Sequence, residues 1–252
     1  MTHRAWGRRH WLPLIFRRPL PLGNVGPVVS FTFDDFPRTA YSVAGDILER
    51  NGVRGTYYTA MGLMNSSDGL GDYFRVEDLL AAAAAGHEIG SHTLHHVSSR
   101  ATTVKTFVNE VIEGHAALRQ VEGVHPTTNF AYPFGAVSAA AKRAVGNEMS
   151  SCRSTIPGVN GPIADLNLLL ANPLYGGVEQ MDSVRELLME TQRCAGWLIF
   201  YTHDVRISPS PYGCTPELLA RTVEMTLSMS MRISTVNAVL TAAGCNPTPE
   251  SY

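Results

Sequence analysis

Cysteine is scarce in this 252-residue chain, and none of the four stands at a metal-binding spacing. Cys152, Cys194, Cys214 and Cys245 form no C-x-x-C pair, which excludes a thiolate zinc module. Four are also too few for a disulfide framework at this length; Cys152 and Cys194, both in apolar segments, read as buried free thiols. Charge is short as well. Asp, Glu, Lys and Arg make up 17% and the net charge is −2, which gives no reason to expect nucleic acid as a partner. No apolar run approaches the roughly 18 residues of a membrane-spanning helix. No secretory signal is legible: the apolar stretch 11–16 is short, broken by Pro13 and followed by Arg17 and Arg18. Residues 1–27, with Arg4, Arg8 and Arg9 as well, read as a basic extension lying on the body of the protein. Peripheral membrane contact through it is the sharper alternative, and the missing signal points to a reducing compartment, the cytoplasm.

Hydrophobic residues, at 44%, are ample for a sizeable core, and residues 28–252 read as one domain. Short β-branched or aromatic runs alternate with longer helical ones. Strands are expected at 28–33, 53–59, 87–91, 128–132, 149–153, 197–202 and 231–234. Helices are expected at about 40–49, 76–85, 103–120, 139–145, 183–194, 216–229 and 236–243. Seven strands with helical connections predict a parallel α/β sheet or barrel. The segment 154–182, rich in Gly, Pro and Asn, reads as a long loop on the functional face.

Three strand ends carry the chemistry. Asp34 and Asp35 close the apolar run VVSFTF; two adjacent carboxylates there are costly unless a positive charge is near, though Asp is also common in caps and turns. In GHEIGSHTLHH, His92 and His96 are four apart, so in a helical turn they face one cation, with His95 as a competitor. One carboxylate plus two imidazoles suits Zn²⁺, Fe²⁺, Co²⁺ or Mn²⁺ better than Ca²⁺ or Mg²⁺. WLIFYTHD ends in His203, positioned like a general acid where a buried strand emerges. NFAYPFG adds a strand running into a Pro-Phe-Gly turn. Tyr57, Tyr58, Tyr132, Trp197, Tyr201 and Tyr212 are read as core packing rather than as a sugar platform.

In this order the motifs TFDD, SHTLHH, PFG and THD resemble the polysaccharide deacetylase family, with its NodB homology domain of the carbohydrate esterase 4 type. The resemblance spans about 28–243 and implies a distorted (β/α)7 barrel. It implies Asp34 as base, Asp35, His92 and His96 as ligands of a divalent ion (Zn first; Co, Fe, Mn or Ni also accepted), and His203 as acid. The Phe134 N–H would hold an oxyanion. The implied reaction is N-deacylation of an amino-sugar oligosaccharide or glycoconjugate; C–N hydrolysis of a cyclic or other small amide is the alternative. Two departures stand out. Ala131 occupies the position where the family carries an arginine that orients the base, and the family's Asp-Trp pair is not recognisable. Arg153, at a strand end in CRSTIPG, is expected to supply the guanidinium to Asp34. Asp165 is a weaker candidate partner for His203, and Asp204 is expected to be structural.

Overall fold

The computed structural model describes residues 12–23 and 25–245. Its centre is a parallel sheet of β1 (Val28–Asp34), β2 (Thr56–Thr59), β3 (Glu88–Ser91), β4 (Asn129–Ala131), β5 (Ser151–Arg153), β6 (Asn172–Pro173) and β7 (Trp197–Thr202). The strands run side by side in the order β6-β7-β1-β2-β3-β4-β5. Hydrogen bonds from Leu169 N to Cys152 O and from Ser154 N to Leu169 O, both 2.9 Å, join β5 to the chain that leads into β6. They complete the ring of a distorted (β/α) barrel. That seam is a single parallel bridge, which is where the distortion lies.

Helices cover the outside: Ala44–Arg50, Val76–Ala84, Val104–Arg119, Ala139–Glu148, Met181–Cys194, Pro216–Ser228 and Val236–Ala242. The first predicted helix is divided, with Arg38–Ser42 forming a separate turn before it. Alternation along the strands explains the layers. Val29, Phe31 and Phe33 of β1, Tyr57 of β2 and Leu198 and Phe200 of β7 join Leu48, Leu118, Leu188 and Leu219 in the outer core. Each such residue, fully buried, stabilises the fold by about 1.5–3 kcal/mol. The intervening positions therefore face the axis: Ser30, Thr32 and Asp34 on β1, and Trp197, Ile199 and Tyr201, followed by His203, on β7.

The seventh barrel strand is not where the sequence suggested. Residues 231–234 do yield a strand, Arg232–Ile233, but it pairs with Val28 and Val29 at the foot of β1, off the ring. The ring strand comes from within 154–182. That segment descends along the barrel, pairs Ile163–Asp165 antiparallel with Pro19–Pro21, and climbs again through Leu169 to β6. Its two ends, at Thr155 and Tyr175, reach the functional face; its middle does not.

Residues 12–23 lie against the barrel. Leu12, Leu20 and Leu22 are buried, and the Arg18 guanidinium donates to the carbonyls of Met149 and Ser150, each at 2.6 Å. Residues 1–11, which carry Arg4, Arg8 and Arg9, are outside the described residues. Among the described residues no helix is long and apolar enough to cross a membrane. All four cysteines are free. Cys152 is buried as expected, but Cys194 is exposed: it ends the helix Met181–Cys194 on the solvent side.

Candidate metal centre and catalytic cleft

The inward-facing residues meet at the C-terminal ends of the strands, where a cleft of about 740 Å³ opens. Asp34 is the last residue of β1; directly after it Asp35 and Phe36 both take left-handed backbone, at φ 62° and 58°. Among the described residues, five of the nine non-glycine positions with positive φ lie in or directly beside the cleft-lining segments: Asp35, Phe36, Thr93, His96 and Phe134. Such backbone costs about 1–3 kcal/mol per residue, so strain is concentrated here. Phe36 offsets it, buried against the rings of Tyr57 and Phe74 at 4.7 and 5.4 Å. The turn sends the two neighbouring carboxylates to different partners.

Asp34 meets Arg153. One terminal nitrogen of the guanidinium lies 2.5 Å from both carboxylate oxygens, and both residues are buried. Register explains how β5 supplies this group: Arg153 is the cross-strand partner of Ala131, so both occupy one layer of the barrel interior. The small Ala131 leaves room for the long side chain from next door. The guanidinium carbon sits 5.3 Å from the Tyr58 ring centre and 5.0 Å from that of Tyr201, aromatic faces that favour a cation. Burial alone would raise the Asp34 carboxyl; Arg153, with His92 and His203 behind it, reverses this and holds it below the usual carboxylate range.

Asp35 meets the imidazoles. Its Oδ1 lies 3.1 Å from His96 Nε2 and 3.4 Å from His92 Nε2, and the three ligand atoms fall within 4.8 Å of one another. Two atoms each about 2.1 Å from a common ion stand about 3.0–3.4 Å apart. The protonation pattern fits a cation too. His92 Nδ1 lies 2.7 Å from the Ala131 carbonyl, so it carries the proton and Nε2 offers a lone pair. Burial drives the His92 imidazole down to about 3 and that of His96 to about 4, leaving both neutral. Asp35 Oδ1 is buried without a hydrogen bond. Burial, then the adjacent Asp34, pushes its carboxyl well up. Two lone pairs and an unsatisfied carboxylate oxygen converging on one point are mutually repulsive unless a cation lies between them.

The route to this convergence differs from the expected one. Residues 92–97 are not helical: Thr93 and His96 are left-handed at φ 67° and 53°, and this reversal brings the two rings to 5.0 Å. His95 points outward, its side chain 61% exposed and its Nδ1 3.0 Å from Glu110 Oε1, so it does not compete.

His203 Nδ1 donates to the Tyr212 carbonyl at 3.0 Å, and its Nε2 stands 3.8 Å from Asp35 Oδ2. Asp165 is not its partner. That carboxylate lies by the N-terminal segment, bound to Lys142 Nζ at 2.6 Å and to Arg18 N at 3.0 Å, because Ile163–Asp165 pairs with Pro19–Pro21. Asp204, fully buried, accepts from Ser210 N at 2.9 Å and forms an ion pair with Arg206, whose Nε lies 2.7 Å from Oδ2. Phe134 is left-handed at φ 58° in the turn Pro133–Gly135. A Cβ on Gly135 would meet Thr155 Oγ1 at 1.7 Å. Gly135→Ala is therefore expected to displace this turn and lower kcat more than it raises KM, by steady-state kinetics.

Tyr57, Tyr58, Tyr132, Trp197 and Tyr201 are buried as expected, Tyr201 reaching the cleft from within the core, whereas Tyr212 is half-exposed and lines the cleft. The cleft also gathers Asp68, Tyr73, Thr155 and Tyr175, none of which carried a motif in the sequence. Tyr175 follows the unexpected strand β6, so the signal that would find it is that strand.

Among solved structures, the chain is similar to the Xyl-CE4 domain of a multidomain xylanase from the hindgut metagenome of Trinervitermes trinervoides. The identity is 19% and the TM-score 0.59, covering 88% of this chain and 94% of that one. A chitin deacetylase from Colletotrichum lindemuthianum matches at 18% identity and TM-score 0.56, covering 85% and 87%. A peptidoglycan deacetylase from Bacillus subtilis matches at 15% and 0.53, covering 88% and 93%. These likenesses establish the fold. A comparison with curated protein sequences gives no match. Residues 23–149, half of the chain, match the family model for polysaccharide deacetylase, and the chain belongs to the polysaccharide deacetylase family.

Proposed function

We propose that the chain is a metal-dependent hydrolase that removes an N-acyl group, N-acetyl first, from an amino-sugar oligosaccharide or glycoconjugate. The observation that carries this reading is the convergence of Asp35, His92 and His96 beside the Asp34–Arg153 pair at one cleft mouth. Family membership supports it, as does the likeness to a chitin deacetylase and a peptidoglycan deacetylase. Asp35, His92 and His96 would hold the divalent ion, with Zn²⁺ first and Co, Fe, Mn or Ni accepted by the same donors. The chemistry a cation supplies there is Lewis acidity toward the acyl carbonyl and toward water.

The chain's own groups do the rest. Asp34, kept ionised by Arg153, accepts the proton of the attacking water. The Phe134 N–H donates to the oxyanion as the carbonyl carbon becomes tetrahedral. His203 enters this step as the imidazolium: burial pushes the imidazole down, while the Asp34 carboxylate and the Tyr212 carbonyl oppose that. As the carbon–nitrogen bond breaks, it gives its Nε2 proton to the departing nitrogen, which cannot leave as an anion. The Tyr212 carbonyl on Nδ1 keeps Nε2 directed at the cleft. A cleft of about 740 Å³ is of the size that encloses small ligands. Its rim is bridged where Arg206 donates to the Gly69 carbonyl at 3.2 Å. Both features favour a short sugar or chain end. Acetate or formate release from amino-sugar oligomers, run beside ring opening of cyclic amides, tests the reading. Acyl release is expected; ring opening alone would transfer the site to the small-amide alternative.

Arg153→Met gives a pH signature. With Arg153 present the Asp34 carboxyl is depressed; without it burial dominates and the carboxyl rises. The acid limb of kcat/KM is expected to move up by about 1–3 pH units. Breaking the buried pair is expected to cost about 3–5 kcal/mol at neutral pH. The stabilisation from a depressed carboxyl is present above its unfolded pKa and lost as pH falls through its folded one. The stability gap between variant and wild type should therefore narrow on acidification, as urea melts at several pH values would measure.

A further inference from the structure

We propose that Asp204 is a positioning residue for His203, acting through the backbone of the loop 204–214; the inference rests on the deacylase reading above. Among the described residues no carboxylate bonds to His203 Nδ1. Its Nδ1 partner is a backbone carbonyl, and that carbonyl is a hub: Tyr212 O accepts from His203 Nδ1 at 3.0 Å, from His203 N at 3.1 Å and from Thr202 Oγ1 at 3.4 Å. The direction of the imidazole is therefore set by wherever residue 212 is held.

What holds it is Asp204. Its carboxylate accepts from Ser210 N at 2.9 Å and from Ser210 Oγ at 2.5 Å. Ser210 Oγ in turn accepts from Tyr212 N at 3.2 Å. The chain of contacts runs Asp204, Ser210, Tyr212, His203, and it closes on itself because Asp204 follows His203 directly. Arg206 Nε, 2.7 Å from Asp204 Oδ2, balances the buried charge. Cys214 N donates to Asp204 O at 3.0 Å, fastening the far end of the loop. Gly213 is packed so close that a Cβ there would meet Asp204 O and Oδ1 at 2.4 Å. A loop that carries an exposed Ile207 and a half-exposed Tyr212 is thus pinned from beneath by one buried carboxylate. A helix cap would not need these contacts: the helix that follows, Pro216–Ser228, is capped by Thr215.

The test exploits what an acid does and a scaffold does not. An amide needs a proton on its leaving nitrogen, whereas 4-nitrophenyl acetate releases a stable phenolate without one. Asp204→Asn and Ser210→Ala are expected to lower kcat for an N-acetylglucosamine oligomer about 10- to 100-fold, the scale that misplacing a catalytic group produces. Hydrolysis of 4-nitrophenyl acetate, corrected for the His92→Ala background, is expected to stay within about twofold, as are KM and metal content, because the acid contribution is confined to leaving-group protonation. Ser210→Thr, which keeps the hydroxyl, is expected to retain amide turnover. Equal losses on both substrates, or no loss on either, would overturn the role of Asp204 while leaving the deacylase reading intact. A wild-type protein inactive on both would overturn that reading and this inference with it. If Asp204→Asn does not fold, Ser210→Ala alone decides.

Discussion

Asp34→Asn is expected to lower kcat by about 10²–10⁴-fold, the usual contribution of a general base, while metal content and KM stay near wild type. Asparagine keeps the shape and can still accept a hydrogen bond from Arg153, but it cannot take up a proton. The metal donors are separate: Asp35 turns away through its left-handed backbone, and His92 and His96 reach Asp35 rather than Asp34. The substitution also leaves the Arg153 guanidinium buried without a counter-ion, so stability should fall by about 3–5 kcal/mol. Kinetics must therefore be read on protein shown folded by its melting transition. Unchanged turnover would remove Asp34 from the base role, and loss of metal would mean that the two aspartates do not divide their work as proposed.

His92→Ala is expected to lower metal affinity by more than about 100-fold, beyond what loss of an outer partner of a metal ligand costs. His96→Ala should do the same. Each imidazole is held neutral with its Nε2 toward Asp35, and two remaining donors do not make a tight site for a transition metal. His95→Ala is the internal control: its ring faces solvent and Glu110, so metal content should not change. Metal content by mass spectrometry after dialysis measures all three. Wild-type occupancy in His92→Ala would refute the ligand assignment, and loss in His95→Ala would mean a different register in SHTLHH.

Much of the site was legible because its residues sit at strand ends, and strand ends announce themselves in sequence. VVSFTF runs into two aspartates and WLIFYT into a histidine, and a polar group where an apolar strand emerges marks the functional face. That Asp34 and His203 share the barrel interior is added by the packing and register of the two strands. Arg153 was legible for the same reason. That its guanidinium stands in for one at residue 131 follows from cross-strand register, which no single segment reveals. Three features stayed hidden. The strand at 172–173 is two residues long, ends in proline and lacks the β-branched run that marks a strand, whereas MRIS at 231–234 has the look of one but finds only the foot of β1. His92 and His96, four apart in sequence, do come together, but through left-handed residues and not through a helical turn. The partner of His203 Nδ1 is a backbone carbonyl, which carries no residue-type signal; Asp165 serves the N-terminal segment.

If the three donors at the cleft mouth power N-deacylation, turnover must depend on the ion they hold. Acetate release from N-acetylglucosamine oligomers, measured on one preparation before chelation, after it and after stoichiometric Zn²⁺ is returned, tests that most directly. Release is expected to disappear on chelation and to return with about one equivalent of ion per chain, the number a single three-donor site binds. Release that persists in metal-free protein would contradict it.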